Sequence, residues 1–219
     1  MIDAPSLPGV FETADAETFK RVDWYMRQHR ALYVGFARGI APDLHRADDV
    51  WDRLAFAILT ANTTVGAALR AFRIARLFRG LPPVPPVQGI VPVRRAYVNR
   101  LPLGDAALFA LLRRTDEPWP VYRGRLVASV PGLGLTKASY AACLLYPLDA
   151  EVACLDTWVQ RVFLHTTSFI WLRRDEYEAV ERELIQLARR HGVCLALAQW
   201  MVWDWVRGGR PTSQAEFFA

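Results

Sequence analysis

Lysine is almost missing from this sequence. Lys20 and Lys137 stand beside 25 arginines, in a chain whose 27 basic residues exceed its 22 acidic ones, for a net charge of +5 and a pI near 9.4. Chemistry that needs a side-chain amine is therefore confined to two positions, and Lys137 is the one inside a motif. The positive balance favours an anionic partner, although genome base content is an equally good source of so many arginines. Cysteine is scarce as well. Cys143, Cys154 and Cys194 are too few and too scattered for a disulfide framework, and no C-x-x-C pair is present to hold zinc or an iron–sulfur cluster. The histidines, at 29, 45, 165 and 191, include no i, i+4 pair, so no protein-ligated transition metal is predicted.

Long apolar runs are lacking too. The best candidate, residues 54–69, contains Thr60, Asn62, Thr63 and Thr64 and falls short of the ~20 apolar residues a bilayer requires. Residues 1–9 carry Asp3, Pro5 and Pro8 with no basic or apolar stretch, so no secretory leader is predicted. The expectation is a soluble, cytoplasmic protein with no membrane partner.

What is present is helix. A chain of 219 residues, 53% apolar and 22% charged, can bury one good domain or two small lobes and is too apolar for disorder. Helical spacing of Phe19, Val22, Tyr25, Met26 and Tyr33 predicts a helix over 15–38. Asp48 or Asp49 is placed to cap a strongly apolar helix from Val50 to about Leu59, and Asp105 to cap 106–114. Further helices are predicted over 67–78, 92–100, 121–129, 136–145, 156–164, 175–191 and 195–206, with Gly192 and Gly208 as stops. Residues 152–155 are the one run that reads as a short strand. The predicted class is all-α, with about ten helices.

Two segments carry chemistry. Residues 121–142, VYRGRLVASVPGLGLTKASYAA, are two helices joined by Val-Pro-Gly-Leu-Gly. Gly132 and Gly134 allow positive φ and put no Cβ between backbone N–H groups and an approaching phosphate. The second helix starts immediately after, so its N-terminal dipole and free N–H groups face the same anion. Thr136 adds a hydroxyl and Lys137 a charge. Such holding positions DNA without reading its sequence. Downstream, Cys154-Leu155-Asp156-Thr157-Trp158-Val159-Gln160-Arg161 places an aspartate at a helix start, where by itself it is an N-cap.

The hairpin and the aspartate segment together resemble the helix-hairpin-helix/Gly-Pro-Asp superfamily of DNA base-excision glycosylases. There a hairpin is followed at about this distance by a V-D-T-H-V-x-R-like segment with the catalytic aspartate. Phe56-Ala57-Ile58-Leu59-Thr60-Ala61-Asn62 is similar to that superfamily's L-L-S-A-Q-A-T stretch, with Asn62 in the place of the amide that enters the DNA. The chain also departs from the pattern. The residue two places after the second hairpin glycine, a lysine in the lyase branches, is Thr136, and Lys137 is one further, turned by ~100° on a helix. Trp158 replaces the histidine after Asp-Thr, and the four-cysteine cluster loop is missing. GLGLTKA, CLDTW and residues 198–204 are also similar to phage-type relatives linked to thymine hypermodification, which for a phage-encoded chain implies the host cytoplasm or nucleoid.

The resemblance implies two helical lobes with a DNA-binding cleft between them. One, residues 50–150, would be a six-helix unit ending in the hairpin at about 121–146; the other, 1–49 with 151–219, would carry Asp156. It implies a monomeric, mostly monofunctional enzyme that flips a base from duplex DNA and cleaves its N-glycosidic bond, with Asp156 stabilising the sugar cation. Lys137 is a minority candidate as lyase nucleophile. Asn62, Arg123, Arg125, Pro131, Gly132, Leu133, Gly134, Thr136 and Lys137 would contact DNA. No organic cofactor is implied, and Na⁺ or K⁺ at the hairpin carbonyls is an option. The alternatives are an amine-transferring DNA base-modifying enzyme on the same scaffold and a non-catalytic hairpin module. Trp200, Trp203 and Trp205 fit a core better than base stacking. Asp204 among them suggests a buried partner, an arginine for instance. The pairs Arg94–Arg95, Arg113–Arg114 and Arg173–Arg174 fit a solvated face better than a phosphate site.

Overall fold

The computed structural model describes residues 16–60, 65–81, 83–164, 166 and 169–208. Ten helices lie among the described residues, and no strand. They are α1 (Ala16–Ile40), α2 (Ala47–Leu59), α3 (Val65–Leu77), α4 (Pro92–Val98), α5 (Asp105–Phe109), α6 (Trp119–Ser129), α7 (Leu135–Leu145), α8 (Thr157–Phe163), α9 (Arg174–Arg190) and α10 (Leu195–Val206). None is long and apolar enough to cross a membrane.

The chain divides into two compact units, Ala41–Pro147 and the discontinuous pair Met1–Ile40 with Leu148–Ala219. Residues 41–49, expected in the discontinuous lobe, pack with the central one. The central unit holds six helices, α2 to α7. Its hub is α2, which packs against α3, α4, α5 and α7. Every residue from Leu54 to Leu59 is buried, as expected of a helix surrounded by others. Asp48 and Asp49 do not cap it. They lie in its first turn, after an N-cap at Arg46 that makes no side-chain bond, and act there through charge on the helix dipole. Nor does Asp105 cap α5, whose N-cap is Gly104. That helix stops well short of Arg114, because the carbonyls of Ala110 and Leu112 accept from Arg125 at 2.8 and 2.7 Å instead of continuing the helical ladder.

In the discontinuous unit the hub is α10, which packs against α1, α8 and α9. Leu195 to Val202 are all buried. The amphipathic α9 turns Tyr177, Val180, Glu181, Leu184, Leu187 and Ala188 inward, with Asp175 and Glu176 in its first turn and Arg189 and Arg190 in its last. Trp200 sits in this core, 5.9 Å from the Phe36 ring. The buried Asp204 accepts a hydrogen bond from Tyr33 Oη at 2.5 Å.

Candidate functional site

The joint between α6 and α7 is built by Pro131 and Gly132. Leu133 N–H donates to Val130 O at 3.2 Å and Gly132 has φ +85°, which is the pattern of a type II turn with proline second and glycine third. The two glycines have different reasons for being there. A Cβ on Gly132 would lie 2.7 Å from Tyr97 Cγ and closer still to Cδ2, so this position is closed by packing and by its φ. Gly134 has φ −81° and nothing within 4 Å of where a Cβ would stand. It is the N-cap of α7 with no side-chain cap bond, so the first N–H groups of that helix look out past an exposed glycine. Leu133 is buried in the turn, while Pro131 and Thr136 are half-buried.

The two arginines of α6 are not part of this surface. Arg123, expected on a phosphate, is 2% exposed, and its Nη1 lies 3.4 Å from Ser139 Oγ on α7. Arg125 is spent on Glu117, bonded at 2.9 and 2.7 Å, and on the carbonyls of Ala110 and Leu112 just after α5. Arg123 thus ties the two hairpin helices together, and Arg125 ties α6 to the segment before it. A different arginine reaches the turn, since Arg94 Nη1 donates to Gly132 O at 3.1 Å.

Two of the three motif segments meet in the central unit. Lys137 Nζ lies 3.4 Å from Thr60 Oγ1, at the C-cap of α2, and 5.0 Å from the Tyr140 ring centroid. Asn62, two residues beyond Thr60, lies outside the described residues.

In the discontinuous unit, Asp156 is the N-cap of α8. Its Oδ1 accepts from Trp158 N and Val159 N, both at 3.0 Å. The segment before it is neither helix nor paired strand, and buried side chains take its backbone groups. Ala153 N–H donates to Glu181 Oε1 and Cys154 N–H to Gln199 Oε1, each at 2.5 Å. Gln199 Nε2 donates to Val152 O at 3.2 Å. The Tyr177 hydroxyl donates to Ala153 O and accepts from Leu155 N–H at 3.3 Å. Gln160 Nε2, from α8 itself, donates to Leu155 O at 3.1 Å. Four side chains from three helices thus fix the approach to one aspartate.

No family model matches the chain, and no curated protein matches it. Solved structures do, along most of its length. The 8-oxoguanine DNA glycosylase of Methanocaldococcus jannaschii is 18% identical and aligns with a TM-score of 0.66 over 88% of this chain and 94% of its own. A second structure from that organism, an 8-oxoguanine glycosylase/lyase in complex with a 15mer DNA containing 8-oxoguanine, gives 17% identity and 0.68 over 86% and 98%. The 8-oxoguanine DNA glycosylase of Thermotoga maritima gives 21% and 0.61 over 89% and 97%. The chain shares its fold with these 8-oxoguanine DNA glycosylases.

Within this glycosylase fold, the residues that the motifs did not disclose are Tyr97, Arg94, Tyr177, Glu181, Gln160 and Gln199. A signal existed for two of them. Glu181 lies on the apolar stripe of α9, four residues after Tyr177, and Gln199 interrupts a helix otherwise almost wholly apolar. A polar group on a buried face needs a partner, and here the partner is the backbone leading to Asp156.

Proposed function

We propose that this chain is a DNA N-glycosylase that holds duplex DNA through the 130–137 turn and hydrolyses the glycosidic bond of an extruded base at Asp156. The reading is carried by Asp156, an aspartate fixed by buried side chains at a helix start, in a fold shared with DNA glycosylases. A base inside the stack is out of reach, so the nucleotide must leave it. As the base departs, positive charge grows on the sugar, and an ionised carboxylate held in place stabilises that charge without reorganising.

The exposed Gly134 supports the DNA half of the reading, since a phosphate can approach the N–H groups of α7 there. A monovalent cation at the turn belongs to the same proposal. Gly132 O already accepts from Arg94, so other carbonyls of residues 128–134 would hold the ion, which would add positive charge opposite the phosphate. Without a lysine two places after Gly134, the chemistry proposed is hydrolysis with no lyase step.

The deciding experiment incubates the protein with duplexes carrying 8-oxoguanine, uracil, alkylated bases or hydroxymethyluracil, followed by alkaline cleavage. 8-Oxoguanine comes first because the proteins of like fold act on it. Strand scission after alkali at one lesion supports the proposal. Intact strands in every duplex, with a new nucleoside by mass spectrometry, would move the chain to base modification without excision.

A further inference from the structure

An aromatic pair stands in water next to the Asp156 segment, and the chemistry described so far leaves it without a role. Trp171 is 90% exposed and Phe169 36%. Their rings meet edge to face, 5.1 Å between centroids at 88°, the geometry aromatic pairs prefer. Isolated exposed apolar residues are ordinary on protein surfaces. These two differ because the backbone between them is pinned. Gln160 is buried and spends its whole side-chain amide on that backbone and on the residue before Asp156. Its Oε1 accepts from Ile170 N–H at 2.8 Å, while its Nε2 donates to Ile170 O and to Leu155 O, both at 3.1 Å. Two carbonyls that share one nitrogen lie side by side. The peptide before Trp171 is therefore neighbour to the peptide before Asp156.

Arginines stand near the pair, with the carboxylates of Asp175, Glu176 and Glu178 beside them. The Arg161 guanidinium stacks on Trp158 at 4.7 Å. Arg173 and Arg174, with side chains 63% and 83% exposed, form surface ion pairs with Glu176 and Glu178. The guanidinium ends of these pairs are exposed, so a phosphate can compete with the carboxylates for them. A flat, solvated indole among arginines fits one occupant, an unstacked nucleobase, since every base offers a π-face and arginines follow the backbone that carries it.

We propose that Trp171, braced by Phe169, is a base-stacking subsite for DNA beside Asp156. The assignment rests on the DNA-binding half of the function proposed above, and it extends that reading to the unpaired bases of the substrate. The bases it accepts are defined by being unstacked rather than by sequence.

The test is equilibrium binding by fluorescence anisotropy, using a labelled duplex with a central two-base mismatch and the fully paired duplex of the same length, over a range of salt. Trp171→Ala is expected to weaken binding to the mismatched duplex by roughly 5- to 150-fold, the range for one stacked base. Binding to the paired duplex should change less than about threefold, and the salt slope should stay at the wild-type value because that slope counts phosphates. Trp171→Phe should recover most of the loss, and it also serves as the test protein should the alanine variant fold poorly. Equal affinities of wild type and Trp171→Ala for both duplexes would overturn the subsite. A loss shared equally by both duplexes with a shallower salt slope would overturn it too, pointing to a phosphate contact. A wild-type dimer in sedimentation that Trp171→Ala dissolves, with DNA binding intact, would assign the pair to a second copy of the chain. A wild-type protein that binds neither duplex would remove the functional reading along with the subsite.

Discussion

Gly132 and Tyr97 occupy one space between them: the ring of Tyr97 fills the position where a Cβ on Gly132 would stand. The glycine is also at φ +85°, a region that costs other residues on the order of 1–3 kcal/mol. Gly132→Ala should therefore lower the melting temperature markedly, by strain and by displacing Tyr97, and any loss of DNA binding would be indirect. Gly134→Ala is the informative change. Its φ of −81° suits alanine and nothing crowds the site, so stability should fall by no more than about 1 kcal/mol. If a phosphate reaches the α7 N–H groups past this exposed residue, the added methyl group should hinder it, and duplex affinity should drop for all sequences alike. Normal duplex binding by a well-folded Gly134→Ala protein would exclude phosphate from this turn.

Between α6 and the segment before it lies an electrostatic lock whose pH dependence is fixed in sign. Its hydrogen bonds to Arg125 hold the Glu117 carboxyl at about 2, below the usual 4.5. A depressed carboxylate adds stability above the unfolded value, and that stability is lost as pH falls from about 4.5 towards 2. Asp52 acts in the opposite direction. Burial pushes it up to about 6 against the pull of Arg76, so its cost is relieved as the pH drops below that value. Comparing wild type with Glu117→Gln isolates the lock. Wild type should melt higher above pH 5, with the gap closing under acid and vanishing near pH 2. A gap of constant size across that window would show that Glu117 stabilises by packing alone.

Much of this architecture was legible because it repeats simple periods. The apolar stripe of α1, the PG-turn between α6 and α7 and the start of α8 at Asp156 all follow from spacing and turn chemistry. Pairings between distant residues were not legible. Arg123 and Arg125 look like a basic face in one dimension, yet the packing of α6 turns them onto Ser139 and Glu117. The short run 152–155 has the composition of a strand, and only the fold reveals that Glu181, Gln199 and Tyr177 replace a neighbouring strand. Sequence alone does not separate a cap from a first-turn acid at Asp48 or Asp49 and at Asp105, because acidic residues serve the first turn nearly as well as the cap itself.

For the activity proposed, Lys137 bears on whether excision is followed by strand cleavage. Its amine is 3.4 Å from Thr60 Oγ1 and near the Tyr140 ring, and it lies one residue past the position that the lyase branches use. Borohydride added during incubation with abasic DNA should trap no covalent complex. Lys137→Ala should reduce DNA affinity modestly through the lost charge, lower the salt slope by about one and leave the excision rate of bound substrate near wild type. An adduct that disappears in Lys137→Ala would instead make the enzyme bifunctional through this lysine.

Asp156 caps α8 with two bonds to Oδ1, so capping has to be separated from catalysis. A cap contributes ~1 kcal/mol to stability, and asparagine caps about as well as aspartate. Asp156→Asn keeps an acceptor for Trp158 N–H and Val159 N–H while removing the negative charge. The approach to the residue is held independently by Glu181, Gln199 and Tyr177, so the backbone should stay in place. The variant should melt near wild type and bind duplex DNA as tightly. If the charge stabilises a developing sugar cation, single-turnover excision should slow a hundredfold or more, on the order of 3 kcal/mol of barrier. The loss should appear in the rate of the bound complex and not in its affinity. An Asp156→Asn protein that melts several degrees early yet excises at the wild-type rate per folded molecule would reduce Asp156 to a cap, and the catalytic carboxylate would have to be sought elsewhere.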